Sequence, residues 1–165
     1  MKYAIISDIH DNIVNLEKCL KWCNANNIGA IICCGDVTNS GTLHLLAARF
    51  EKDIYLVQGN IELYEEEEVE VYLNIKYLGK YGIIEIDNFK VGVCHEPFYI
   101  DKLLEREGVK LIFYGHTHKP WIEDKKGVKL INPGTLGGVF QKASFAVWES
   151  GEGGLELILL ERIEE

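Results

Sequence analysis

Two histidines, His116 and His118, stand two positions apart in FYGHTHKP (113–120), directly after an apolar run. In an extended chain, residues i and i+2 point to the same side. Two neutral imidazoles on one side are a metal-ligand arrangement. Other segments repeat the pattern of an apolar run followed by a metal-competent side chain. YAII is followed by SDIH with Asp8 and His10, IICC by GD with Asp36, IYLV by QGN with Asn60, and VGVC by His95. Singly, Asp36 reads as a helix cap, Asn60 as a turn residue and His95 as a hydrogen-bonded core histidine. Together they place one or two ligand-type residues at the end of five apolar runs. Gly35, Gly59 and Gly115 each precede one of them, where a residue without Cβ lets the backbone turn and approach closely.

The set holds two carboxylates, four imidazoles and one amide, with no thiolate. Mixed nitrogen and oxygen donors suit manganese, iron, zinc, cobalt or nickel. Seven ligands are too many for one ion with an open position, but suit two ions if one carboxylate bridges. Paired ions about 3.5–4 Å apart clamp the attacking and leaving oxygens of a phosphoryl displacement. A hydroxide held between them is a nucleophile near neutral pH.

The apolar runs are the elements that must position these groups. KYAII (2–6), AIICC (30–34) and IYLV (54–57) read as buried strands. Helical spacing joins them at 13–28 (Ile13, Leu16, Leu20, Cys23) and 42–51 (Leu43, Leu46, Phe50). The first sixty residues therefore read βαβαβ, a parallel sheet with crossover helices. In such sheets ligands bind beyond the carboxyl ends of the strands. Residues 61–70 read as a short acidic helix and 100–107 as another helix. YGIIEI and FKVGVC flank an Asp87-Asn88 turn, KLIFY (110–114) is a strand, and WIEDKKGVKLI reads as a hairpin. A last hairpin pairs ASFAVWE with LELILLE across SGEGG. The expected fold is α/β: a two-sheet β-sandwich flanked by helices, in one domain over 1–165.

The bulk numbers agree. The chain has 165 residues, 47% hydrophobic and 26% charged, enough for a sizeable core. Its net charge of −9 (17 basic, 26 acidic) makes it a poor non-specific partner for nucleic acid. Two divalent ions would draw phosphate in despite that field. No apolar run has the length of a membrane span, and the amino-terminal segment reads as a core strand. The expected location is the cytoplasm. The five cysteines, without any C-x-x-C, read as buried thiols in a reducing compartment. His44 reads as a helix-surface residue, and Trp22, Trp121 and Trp148 as core or edge packing.

The order D-x-H, G-D, G-N, H, G-H-x-H resembles the calcineurin-like metallophosphoesterase family, and within it the small YfcE/MJ0936-like phosphodiesterases. NPGT (132–135) is similar to a segment these proteins carry after the last histidine pair. The resemblance implies a four-layer αββα fold without a cap domain. It implies one metal on Asp8, His10, Asp36 and His118, and a second on Asn60, His95 and His116, with Asp36 bridging and Asn60 beside the phosphate. Manganese is the first expectation, with nickel, iron, cobalt or zinc as alternatives. The implied substrate is a small phosphodiester, and self-association is compatible with the pattern.

Two positions depart from the family. Ile61, in GNIE, stands where many members carry a histidine thought to protonate the leaving group. That disfavours the alternative reading as a phosphomonoesterase. Glu96 follows His95 where glycine is common, and reads as a surface residue; Glu96 or Glu62 is the weaker candidate for a substitute acid. A further alternative is a non-catalytic scaffold, since the retromer subunit Vps29 resembles this fold.

Overall fold

The structure is a computed structural model describing residues 1–151 and 154–163. The first sheet contains β1 (Lys2–Ile6), β2 (Ala30–Cys33), β3 (Ile54–Leu56) and β4 (Ile75–Tyr77), all parallel. It is completed by β10 (Ser144–Glu149), antiparallel to β1, and β11 (Leu155–Leu159), in the order β11-β10-β1-β2-β3-β4. The second sheet holds β5 (Tyr81–Ile86), β6 (Phe89–Cys94), β7 (Val109–Phe113), β8 (Trp121–Lys125) and β9 (Val128–Asn132), in the order β5-β6-β7-β9-β8. The helices are α1 (Ile13–Ala25), α2 (Ser40–Arg49), α3 (Glu66–Glu70) and α4 (Ile100–Leu104).

The side-chain alternation of β1 shows why this sandwich forms. Ala4 and Ile6 join Leu16, Leu20, Leu43 and Phe50 beneath α1 and α2. Tyr3 and Ile5, on the opposite face, meet Val91, Val93 and Phe113 of the second sheet. A strand covered on both faces needs an unbroken apolar sequence, which is why YAII and IICC carry no polar residue. On the far face of the second sheet, Ile112 and Leu130 pack with Ile100 and Leu103 of α4. The layers therefore run helix, sheet, sheet, helix. Each fully buried leucine, isoleucine or phenylalanine contributes about 1.5–3 kcal/mol.

Several expectations are corrected. The second half is not built of hairpins alone: β6-β7 and β7-β9 are parallel, because α4 returns the chain between the first pair and β8 between the second. The last hairpin joins the first sheet; part of its turn, residues 152–153, lies outside the described residues. The acidic helix is only α3. Residues 61–65 instead form a loop, with Leu63 N–H bonded to the Thr38 carbonyl at 2.8 Å, and Glu65 and Glu68 form a capping box. Helix α1 stops at Ala25 because the Asn26 side chain bonds the Trp22 carbonyl at 2.9 Å. Asp87-Asn88 and Lys126-Gly127 both have positive φ, as the two hairpin turns require. All five cysteines are buried and unpaired. Among the described residues no helix is long and apolar enough to cross a membrane.

Candidate metal centre

All seven ligand-type residues meet at the carboxyl ends of β1, β2, β3, β6 and β7. Asp8 and His10 follow β1, Asp36 follows β2, Asn60 follows β3, His95 follows β6, and His116 and His118 follow β7. Five of them have left-handed backbones: Asp8 (φ 55°), His10 (47°), Asp36 (55°), His116 (70°) and His118 (60°). Such conformations cost on the order of 1–3 kcal/mol each and persist where the surroundings over-determine them. Neighbouring backbone supplies that restraint. Asp8 N–H bonds the Gly35 carbonyl at 3.0 Å, His10 N–H the Asp36 carbonyl at 3.0 Å, and His116 N–H bonds Asp8 Oδ2 at 3.1 Å.

The glycines allow this proximity. A Cβ on Gly59 would stand 2.0 Å from Asp36 Oδ1, and one on Gly115 2.0 Å from Ser7 Oγ.

The side chains form two groups, Asp8 with His10 and His118 and Asp8 with Asp36 and His95, and Asp36 also reaches toward His10 of the first. In the first, Asp8 Oδ1 lies 3.1 Å from His118 Nε2 and 3.6 Å from His10 Nε2. The two Nε2 atoms are 3.2 Å apart, and His10 Nε2 is 3.6 Å from Asp36 Oδ2. In the second, Asp36 Oδ2 lies 3.3 Å from His95 Nε2, while Asn60 Oδ1 is 2.8 Å from both His95 Nε2 and His116 Nδ1. Asp8, Asp36 and His95 are buried, His10 and His118 partly so, and Asn60 and His116 open to solvent.

Backbone carbonyls set two tautomers. His95 Nδ1 donates to the Cys34 carbonyl at 2.7 Å, and His118 Nδ1 donates to the Val139 carbonyl at 3.0 Å. Each Nε2 is then left with a lone pair aimed inward. His118 Nε2 therefore faces Asp8 Oδ1, a buried oxygen with no hydrogen-bond partner. Buried polar atoms ordinarily have one. Converging nitrogen lone pairs and carboxylate oxygens repel unless a proton or cation lies between them. This donor set fits divalent metal ions.

The same crowding moves the titrations. Burial pushes the Asp36 carboxyl up, but His95, the Ile61 N–H and His10 outweigh it and hold the group below its ordinary value. His10 is raised, first by the Asp8 carboxylate and then by Asp36, against the effect of burial. Burial lowers His95, but Asp36 and Asp8 more than compensate, so it too is raised.

Supporting residues emerge only in three dimensions. Glu62, considered above as a substitute acid, points its carboxylate into the backbone: Oε2 accepts from Thr38 N at 2.7 Å, and Oε1 from Gly59 N at 3.0 Å and Val37 N at 3.3 Å. It clamps together the loops that carry Asp36 and Asn60. Asn132, in NPGT, bonds the Gly115 carbonyl at 2.9 Å and Thr117 Oγ1 at 3.1 Å, holding the H-x-H loop. Thr135 Oγ1 donates to the Asp8 carbonyl at 3.0 Å. The NPGT segment was visible in sequence, but the jobs of Asn132 and Thr135 were not. Glu96 is half-buried beside His95. His44 lies exposed on α2, away from the site, with Nδ1 3.3 Å from the Tyr72 hydroxyl. Trp22 and Trp148 pack against the core, while Trp121 is exposed on the edge strand β8.

Known proteins are similar to this chain in sequence and fold. The profile of the calcineurin-like phosphoesterase superfamily domain matches residues 1–153. The chain is 33% identical over 145 residues to "Probable metallophosphoesterase MJ0623" of Methanocaldococcus jannaschii, covering 82% of this chain and 68% of that one. It is 28% identical to "Phosphodiesterase MJ0936" of the same organism, covering 81% and 83%. The structure superposes on a novel archaeal phosphodiesterase with a TM-score of 0.86 and 23% identity, covering 96% and 99%. It superposes on Vps29 of Entamoeba histolytica with a TM-score of 0.71 and 19% identity, covering 96% and 99%. At these identities the two superpositions show a common fold.

Proposed function

The chain belongs to the calcineurin-like phosphoesterase superfamily, and from that premise we propose that it is a phosphodiesterase working with two divalent metal ions. Asp36 supports this most directly. Its Oδ2 is shared between two groups of donors, 3.6 Å from His10 Nε2 and 3.3 Å from His95 Nε2. Asp8, His10, Asp36 and His118 would hold one ion, and Asp36, Asn60, His95 and His116 the other. Manganese is the first candidate; nickel, iron, cobalt and zinc also suit these donors. Bound there, the pair would supply an activated water as nucleophile and positive charge against the phosphoryl oxygens.

The chain's own residues do the rest. The Cys34 and Val139 carbonyls fix the rings of His95 and His118 with Nε2 inward. Asn60 turns Oδ1 toward two imidazoles, which leaves Nδ2 to donate to a phosphoryl oxygen of the substrate. Ile61, 47% exposed, puts an apolar side chain beside that position. A positioned acid contributes about 10²–10⁴-fold. Without one, esters with good leaving groups are favoured, and diesters over monoesters. Glu62 is occupied by three backbone N–H groups and does not fill the gap.

The substrate is then a small diester, since the acidic surface disfavours a polynucleotide. We assign the protein to the cytoplasm, which suits its five unpaired cysteines. A non-catalytic scaffold has the likeness to Vps29 in its favour, but the seven converging donors favour catalysis.

The test is hydrolysis of a bis-aryl phosphate diester and the matching aryl monoester, with manganese and then with chelator, beside Asp36→Asn. Metal-dependent diester cleavage that is lost in the variant is expected. Turnover of neither ester with any of the five metals would favour the scaffold.

A further inference from the structure

Phe140 combines three properties that packing does not explain. Its side chain is 91% exposed. Its backbone is left-handed at φ 63°, an outlier for a bulky residue, so it is strained without any burial to offset the cost. Its ring nevertheless lies over a site residue, with centroids 5.8 Å from His118 at an interplanar angle of 32°.

The loop beneath is held to the site from several directions. Leu136 N–H bonds the Ser7 carbonyl at 2.8 Å and Gly137 N–H the Asp8 carbonyl at 2.9 Å. Asn12 and Asn15 donate to the carbonyls of Gly137 and Leu136, each at 2.9 Å. His118 Nδ1 holds the Val139 carbonyl at 3.0 Å. The backbone is anchored up to residue 139, and the next residue presents a bare aromatic ring at the mouth of the site. On the Asp36 side the rim is also apolar, because Ile61 is exposed while its N–H is bound to Asp36 Oδ1 at 2.9 Å.

We propose that Phe140 is a specificity-determining residue, a stacking platform for a planar aromatic substituent on the phosphorus of the substrate. The proposal rests on the phosphate site described above. Stacking on one ring tolerates any π-face, so both aryl and nucleobase substituents qualify, and alkyl substituents do not. A single platform also fits a small ester better than a strand of bases.

The test is calorimetric binding of phenylphosphonate and methylphosphonate to the manganese-loaded protein, in wild type, Phe140→Ala, Phe140→Leu and Phe140→Trp. A nucleoside 5′-phosphonate forms a third arm, to separate base from aryl recognition. The wild type is expected to prefer phenyl over methyl by roughly 5- to 150-fold, the usual range for one stacked ring. The preference should disappear in the Ala and Leu variants and return with Trp. Leucine keeps the bulk without the π-face, so a preference retained in Phe140→Leu would overturn stacking. Equal affinities in wild type would overturn this proposal alone. Binding of no phosphonate would remove the phosphate-site reading and the proposal together.

Discussion

Asp8 Oδ1 and His118 Nε2 lie 3.1 Å apart, and Oδ1 has no hydrogen-bond partner. The outer nitrogen of His118 is committed to the Val139 carbonyl, so a lone pair meets a buried carboxylate oxygen. A cation relieves that repulsion, and manganese should therefore stabilise the fold. At a hundredfold excess over its dissociation constant, mass action contributes about 2.7 kcal/mol. For a chain of this size that is a rise in Tm of roughly 5–10 °C. Scanning calorimetry with manganese and with chelator checks it. In Asp8→Asn most of the metal-induced rise should vanish.

The pH dependence of metal binding follows from His10 and His95, both raised above 6.5 by the carboxylates around them. A raised imidazole stabilises the metal-free fold fully below the unfolded value. That contribution is lost as pH rises through the folded value. The metal-free protein should therefore be more stable at pH 6 than at pH 8. Metal needs the neutral rings, so its affinity should fall, with proton release on binding, as pH drops below the raised values. Asp36 is lowered and loses its contribution only below its ordinary carboxylate range, outside this window. Calorimetric titrations in buffers of different ionisation enthalpy would count the protons; zero release contradicts the assignment.

Glu62 should behave as a positioning residue. Glutamine offers one oxygen to three N–H groups, so Glu62→Gln should cost about 1–3 kcal/mol, measured by urea unfolding. Turnover should fall with the shape of the pH–rate profile unchanged. If Glu62 were a proton donor, the alkaline limb of that profile would disappear instead.

Gly59 tests the close approach of the β2 and β3 loops. A methyl group there meets Asp36 Oδ1 at 2.0 Å and Asp36 N at 2.2 Å, so backbone as well as side chain must move. Gly59→Ala should destabilise by about 1–3 kcal/mol and weaken manganese binding, read by urea unfolding and calorimetry. An unchanged affinity would mean that Asp36 can shift without consequence.

The sequence by itself marked where a site would form. A strand covered on both faces must be apolar throughout, so the first polar residue after YAII, IICC, IYLV, VGVC and LIFY marks a sheet edge. Side-chain type then limited the chemistry to nitrogen and oxygen donors. What stayed hidden depends on groups that no side-chain pattern records. The carbonyls of Cys34 and Val139 choose the tautomers of His95 and His118, yet every residue has a carbonyl. Glu62 looked like a free acid until the backbone N–H groups of Val37, Thr38 and Gly59 closed around it. Strand β4 went unseen because three residues with one buried side chain, Ile75, show no period. The parallel return through β6, β7 and β9 was decided by tertiary structure alone, as was the 3.1 Å distance at which Asp8 meets His118. Local sequence specifies where each strand ends, but only the packing of two sheets brings those ends to one place.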